Sequence, residues 1–167
     1  MASVADGLAS LLPDDQALVT GSEAEEWAVG DRVPSAVAHP GSVEELARVM
    51  ERASSEGWAV APAGGGSWID GGGPPDRLDL VVTTRRLHGV EVYEPGDLTR
   101  TAGAGLSVEE LRRETGARGQ WFPQDPPGAA RGTLGGLVAT GLPGPLRSGF
   151  GRPRDQVLGL TVVTGDG

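Results

Sequence analysis

The chain has 167 residues, with 38% hydrophobic residues and a formal net charge of −9 at pH 7. This length suits one ordinary domain or two small ones, and the negative charge argues against a nucleic-acid partner. Cysteine and lysine are both absent, which excludes disulfides, a thiol nucleophile, a lysine Schiff base and an iron–sulfur cluster held by this chain.

Residues 1–33 form an acidic lead-in with a weak apolar pattern at Leu8, Leu11 and Leu12. The pattern predicts a short helix followed by irregular chain, and a partly ordered tail is an equal alternative. The N-terminus lacks the basic start of a signal peptide, and no apolar run approaches the ~20 residues that cross a bilayer. We therefore expect a cytoplasmic protein that is not transmembrane.

A first helix is predicted to begin at Ser42, which forms a capping box with Glu45. Gly57 is the expected C-terminal stop. Strands are predicted at Trp58–Ala61 and Leu78–Val82, on either side of a glycine-rich loop.

The second half of the chain repeats this order of elements. Two strand-like segments, VEVYE and LTRTA, flank a turn at residues 95–97 and predict a hairpin. Ser107 and Glu110 form a second capping box, and the helix that follows is expected to end at Gly116 or Gly119.

Three further elements are predicted after this second helix. Gln120–Phe122 is a short strand candidate, a third helix begins near Thr133, and Val157–Val163 is a last strand candidate. Asp166-Gly167 after that strand is a hairpin signal that needs a returning strand. We therefore expect the front part of a larger fold, truncated at its C-terminus.

The element order indicates an α/β (α+β) fold with two small lobes. The first lobe covers about 34–90 and the second, incomplete lobe about 91–167.

Three consecutive glycines, residues 64–66, follow the predicted strand and precede Ser67. Successive N–H groups in such a loop form an anion-binding concavity. The phosphate-loop motif is excluded because lysine is absent, and no helix opens here as the Rossmann motif requires. A plain flexible loop is the alternative.

A second glycine cluster, residues 132–141, places Thr133 at a predicted helix start with Gly135 and Gly136 behind it. Helix starts attract anions. Two such sites, one in each lobe, suit a diphosphate lying between the lobes. Replacing Gly65 with a bulky residue is then expected to weaken ligand binding and leave the fold largely intact.

Three segments carry a resemblance to a known family: VPSAVAHPGSVEELARVMERASSEGWAVAPAGGGS, RRLHGVEVYEPGDLTRTAGAGLSVEELRRETGARGQWFPQDPP and GTLGGLVATGLPGPLRSGFGRPRDQVLGLTVVTGDG. Together they resemble the N-terminal part of the PCMH-type FAD-binding domain of the vanillyl-alcohol oxidase family, over residues 33–167. Within that family the chain is most similar to the FAD-binding subunit of bacterial glycolate oxidase. Residues 1–33 remain a lead-in, and 34–167 the FAD-binding domain.

The resemblance implies an FAD-dependent oxidoreductase acting on a small 2-hydroxy acid such as glycolate. It implies partner subunits that include an iron–sulfur electron acceptor. No catalytic residue carries over. In the resemblance, the missing continuation supplies part of the flavin pocket and all of the substrate site, so the isolated chain is expected to be inactive and to bind FAD poorly. The competing hypothesis is a non-catalytic interaction module that retains a truncated flavin-domain fold.

The resemblance also implies a set of FAD-binding residues. Many relatives carry Arg in place of Ala63. The set comprises Pro62, Ala63, Gly64, Gly65, Gly66, Ser67, Trp68, Pro123, Asp125, Pro126, Thr133, Gly135, Gly136, Ala139 and Thr140.

Other polar residues are expected to have ordinary roles. Arg147 and Arg154 are better explained as solvated or ion-paired side chains, and His39 and His88 do not form a metal-ligand pattern. Covalent flavin attachment in the family uses His, Cys or Tyr. Neither histidine lies in a glycine loop and the single tyrosine, Tyr93, lies in a strand, so the FAD is expected to be non-covalent.

Overall fold

The computed structural model describes residues 3–167, apart from the side chains of Val90 and Glu91. The chain forms two compact units. The first contains the chain up to Ala63, then Ile69–Arg86 and Thr161–Gly167, and the second contains Gly64–Trp68 and Leu87–Leu160. The lobe boundary predicted near residue 90 stays a prediction.

The first unit is built on a four-stranded sheet. Its strands are β1 (Leu18–Val19), β2 (Ala36–Ala38), β3 (Val60–Ala63) and β4 (Leu80–Thr83), in the spatial order β1-β2-β4-β3. β2 and β3 both pair parallel with β4, so that Val37 and Ala61 flank Val81, whereas β1 pairs antiparallel with β2. All four β4 residues are buried, as expected for a central parallel strand.

Helix α2 (Val43–Glu56) connects β2 to β3. The Ser42 hydroxyl accepts the Glu45 N–H at 3.1 Å, and Gly57 ends the helix with a φ of 66°. The predicted capping box forms only in part, because the Glu45 carboxylate accepts the N–H of Gly41 at 2.7 Å and not that of Ser42. The cap therefore satisfies one donor of the first helical turn, the Glu45 N–H.

The lead-in is ordered in the described residues. Helix α1 (Val4–Leu8) confirms the predicted short helix, and its Leu8 side chain is completely buried. The sequence missed β1, a two-residue strand that pairs with β2. One core cluster combines α1, α2 and the sheet: Leu8, Leu12, Ala17, Ala36, Ala38, Val49, Ala53, Leu80 and Val82.

The second unit contains the predicted hairpin, formed by β5 (Val90–Glu94) and β6 (Thr99–Ala102). Helix α3 (Val108–Gly116) begins with the complete capping box of Ser107 and Glu110, as predicted. The remaining helices are α4 (Leu134–Thr140) and α5 (Arg147–Phe150), with short 3-10 turns at Gly21–Trp27, Ile69–Gly72, Ala129–Arg131 and Pro153–Gln156.

Two predicted strands are wrong. Residues 120–122 and 157–163 are irregular and form no ladder in the described structure. Leu158 and Val162 are 88% and 72% exposed, so their alternation has no buried face to specify a strand. The strands β3 and β4 also begin two residues later than predicted.

No helix among the described residues is long and apolar enough to cross a membrane.

Candidate functional site

Two glycine-rich loops pack directly against each other within the second unit. We call residues 64–68 the first loop and residues 127–136 the second loop. A Cβ atom on Gly64 would collide with the Thr133 hydroxyl, and one on Gly65 would collide with the Arg131 carbonyl oxygen. The glycines therefore permit a close backbone approach that no other residue type allows.

This packing overturns the expectation that a bulky residue at position 65 would leave the fold largely intact. Gly65 is buried, and its neighbour is the backbone oxygen of Arg131, which cannot rotate away as a side chain would. A substitution there must push the two loops apart.

The first loop retains free hydrogen-bond donors. Within the described residues, the N–H groups of Gly64, Gly65 and Gly66 donate to no protein acceptor. The buried Ser67 hydroxyl also has no hydrogen-bond partner there. Buried polar groups are nearly always paired, so an unpaired hydroxyl beside free N–H groups fits a bound polar ligand.

The start of α4, by contrast, is already satisfied within the chain. The N–H groups of Leu134 and Gly135 donate to Leu106 and Ala104 at 2.9 and 2.8 Å, and Gly136 donates to the Thr133 hydroxyl at 3.2 Å. The third helix predicted from the sequence is α4, and Thr133 is its N-cap, as predicted. The N–H groups at the start of α4 thus have acceptors within the chain, whereas those of residues 64–66 have none in the described part of it.

Trp68 joins the two loops. Its indole Nε1 donates to the Pro127 carbonyl at 2.7 Å. A Cβ on Gly132 would collide with the same indole, and one on Gly136 would lie 3.4 Å from it. The ring therefore lies over the second loop where only glycine leaves room for it.

The proline-rich segment before the second loop is anchored by side chains. The Asp125 carboxylate accepts the Leu146 N–H at 3.1 Å, and Pro126 is buried. Gln124, which the sequence did not single out, is 1% exposed and donates to the Gly151 carbonyl at 3.4 Å. A buried glutamine beside prolines gives no periodic signal, so only the structure reveals it.

The other predicted site residues lie outside the first and second loops. Pro62 and Ala63 end β3 in the first unit, and the Ala63 carbonyl accepts the Thr84 N–H at 2.9 Å. Ala139 and Thr140 are exposed at the end of α4, where the Thr140 hydroxyl donates to the Gly136 carbonyl at 2.7 Å. Pro123 is half-buried.

The arginines and histidine for which the sequence predicted ordinary roles are either paired or exposed. Arg154 lies 3.6 Å from Asp155, and Arg147 is exposed. His39 shares a 2.9 Å hydrogen bond between its Nδ1 and the Thr83 hydroxyl. Burial, then the charges of Arg85 and Arg86, lowers the pKa of His39. No group of three or more metal-ligand side chains occurs among the described residues.

The chain is similar to one protein family and to several known proteins. The family described as FAD binding domain matches residues 34–167. D-2-hydroxyglutarate dehydrogenase of Xanthomonas citri is 37% identical over 136 residues, which are 80% of this chain and 28% of that protein. Glycolate oxidase subunit GlcE of Escherichia coli is 39% identical over 84 residues, which are 49% of this chain and 24% of that protein.

Solved structures agree on the fold. Alkyldihydroxyacetonephosphate synthase superimposes with a TM-score of 0.80 at 24% sequence identity, over 92% of this chain and 31% of that one. The chain thus spans less than a third of the length of each of these three proteins.

Proposed function

Because the chain belongs to the FAD-binding domain family, we propose that its first loop holds the diphosphate of FAD. The observation that carries this proposal is the set of free donors on that loop, the N–H groups of Gly64–Gly66 and the unpaired Ser67 hydroxyl. Neutral backbone donors suit a diphosphate, since several N–H groups can converge on one phosphate group.

The second loop acts in this proposal as the support of the first. The Thr133 hydroxyl and the N–H groups of Gly135 and Gly136 have hydrogen-bond partners within the chain. Thr133 and Gly136 lie against the first loop, whereas Gly135 lies against Ala104. Trp68 contacts the second loop. The remaining predicted residues would line the cofactor further from the diphosphate: Pro62, Ala63, Pro123, Asp125, Pro126, Ala139 and Thr140.

FAD supplies the redox chemistry when it is bound, and the protein binds and orients it. We propose a small 2-hydroxy acid as substrate, of the glycolate or D-2-hydroxyglutarate type named in the relatives. Partner subunits, one of them an iron–sulfur electron acceptor, and a cytoplasmic location are part of the same proposal. Since the chain spans less than a third of those relatives, we expect no glycolate-dependent dye reduction from the 167-residue chain alone.

FAD titration of the 167-residue chain tests the proposal. Because the isolated chain is expected to bind FAD poorly, FAD is titrated to its highest soluble concentration. We expect it to raise the urea midpoint of unfolding there, since a ligand present at 100 times its Kd stabilises the native state by about 2.7 kcal/mol. Riboflavin, which lacks the diphosphate, serves as the matched control and should give little or no shift. Acid precipitation should then release the flavin, because the attachment is non-covalent.

An equal shift by riboflavin would place the binding energy outside the first loop. The absence of any shift with FAD, up to the highest soluble concentration, would refute FAD binding by this chain.

A further inference from the structure

The indole of Trp68 contacts the second loop, although the residue itself belongs to the first loop. It follows the donor-bearing residues of the first loop directly, yet its hydrogen bond and its ring contacts go to the second loop. One side chain thereby fixes the first loop to three places in the second: Pro127, Gly132 and Gly136.

We propose that Trp68 is a positioning residue, which sets the first loop in the conformation that converges its N–H groups on the diphosphate. This inference rests on the proposed function. It assigns Trp68 a role through the loops and not through contact with the flavin ring.

The physical argument begins with the flexibility of the first loop. Three consecutive glycines lose more backbone entropy on ordering than any other residues, so the free loop resists a single conformation. The packing of Gly64 and Gly65 excludes side chains but adds no directional bond. The 2.7 Å hydrogen bond from the Trp68 Nε1 to the Pro127 carbonyl is the directional contact in this group.

A preorganised loop binds its ligand more tightly, because the ordering has already taken place before binding. Loss of the contacts between Trp68 and the second loop should therefore weaken diphosphate binding even when the rest of the fold is intact.

Two substitutions separate the hydrogen bond from the ring. Trp68→Phe keeps an aromatic ring and removes the N–H, and we expect FAD affinity to fall about five-fold, the equivalent of one ordinary hydrogen bond. Trp68→Ala also removes the packing over Gly132 and Gly136, and we expect a loss of about thirty-fold or more. Trp121 provides the matched control, since it lies in the same unit, is 59% exposed and packs on Phe150 instead of the loops.

The 31P resonances of bound FAD give a readout that a general loss of stability would not move. We expect both phosphorus signals to shift or broaden in the Trp68→Phe complex relative to the unmodified chain, and to stay in place in Trp121→Phe. Where Trp68→Ala fails to fold, the Trp68→Phe variant decides the question.

Unchanged FAD affinity and unchanged 31P shifts in Trp68→Phe would overturn the positioning role and leave FAD binding itself standing. Absence of FAD binding by the unmodified chain would instead refute the proposed function on which the inference rests.

Discussion

At the scale of single residues, glycine serves two different purposes in this chain. Gly57 and Gly141 have left-handed backbone conformations and end helices α2 and α4. Gly64 and Gly65 have no such conformation, and they are required because another part of the backbone occupies the space of a Cβ. The sequence does not distinguish these two kinds of glycine, and only the structure shows which purpose each one serves.

This distinction gives a prediction for Gly65→Ala. Its new Cβ would collide with the Arg131 carbonyl oxygen, so we expect the free energy of unfolding to fall by about 2 kcal/mol, within the range of overpacked sites. Gly71→Ala is the matched control, because no atom lies within 4 Å of a Cβ there and its φ is not positive. Urea denaturation of both variants measures the difference, and equal stabilities would contradict the collision.

At the scale of elements, the starts of helices were predictable and the strands were less so. Ser42, Ser107 and Thr133 each cap the helix that the sequence assigned to them, because a cap depends on residues within one turn. A strand needs a partner that the local sequence does not contain. Residues 120–122 and 157–163 have the composition of strands, yet no ladder forms at either place in the described chain.

The same dependence on distant partners explains which residues of the site the sequence could not predict. The glycine run, Ser67 and Thr133 were identifiable because they follow or begin local elements. The anchoring of the first loop by Trp68 and the burial of Gln124 depend on contacts with distant residues, and no local pattern encodes them.

The capping box of α3 gives a prediction at this scale. Ser107 accepts the Glu110 N–H at 3.0 Å and donates to the Glu110 carboxylate at 2.9 Å. We expect Ser107→Ala to lower the free energy of unfolding by about 1 kcal/mol. Ser54→Ala, at an exposed position inside α2, should change it little or raise it slightly, since alanine favours helices. Thermal unfolding of both variants checks this, and a smaller effect at Ser107 than at Ser54 would refute the role of the cap.

At the scale of the whole molecule, charge sets the response to pH. The chain has 23 acidic residues against 14 arginines and two histidines. Ordinary carboxylates titrate near pH 4, and hydrogen bonds lower the pKa of Asp14 and Glu110 further. Between pH 7.5 and 5.5, the group whose shifted pKa can change the stability is His39.

His39 determines the direction of that change. Its ring lies edge-on to Trp27 at 5.6 Å, and burial, followed by the charges of Arg85 and Arg86, lowers its pKa below the usual 6.5. Below pH 6.5 the unfolded chain therefore binds a proton that the folded chain resists, and the free energy of unfolding falls as the pH drops. Well above pH 6.5 both states are neutral at His39, and this contribution is constant.

We accordingly expect the urea midpoint of the unmodified chain to be lower at pH 5.5 than at pH 7.5. His39→Asn keeps a polar side chain beside Thr83 and removes the titrating group, so its midpoint should depend less on pH over the same interval. Urea unfolding of both chains at the two pH values measures this difference. An undiminished pH dependence in His39→Asn would show that another group carries the effect, because the variant has no proton to gain at this position.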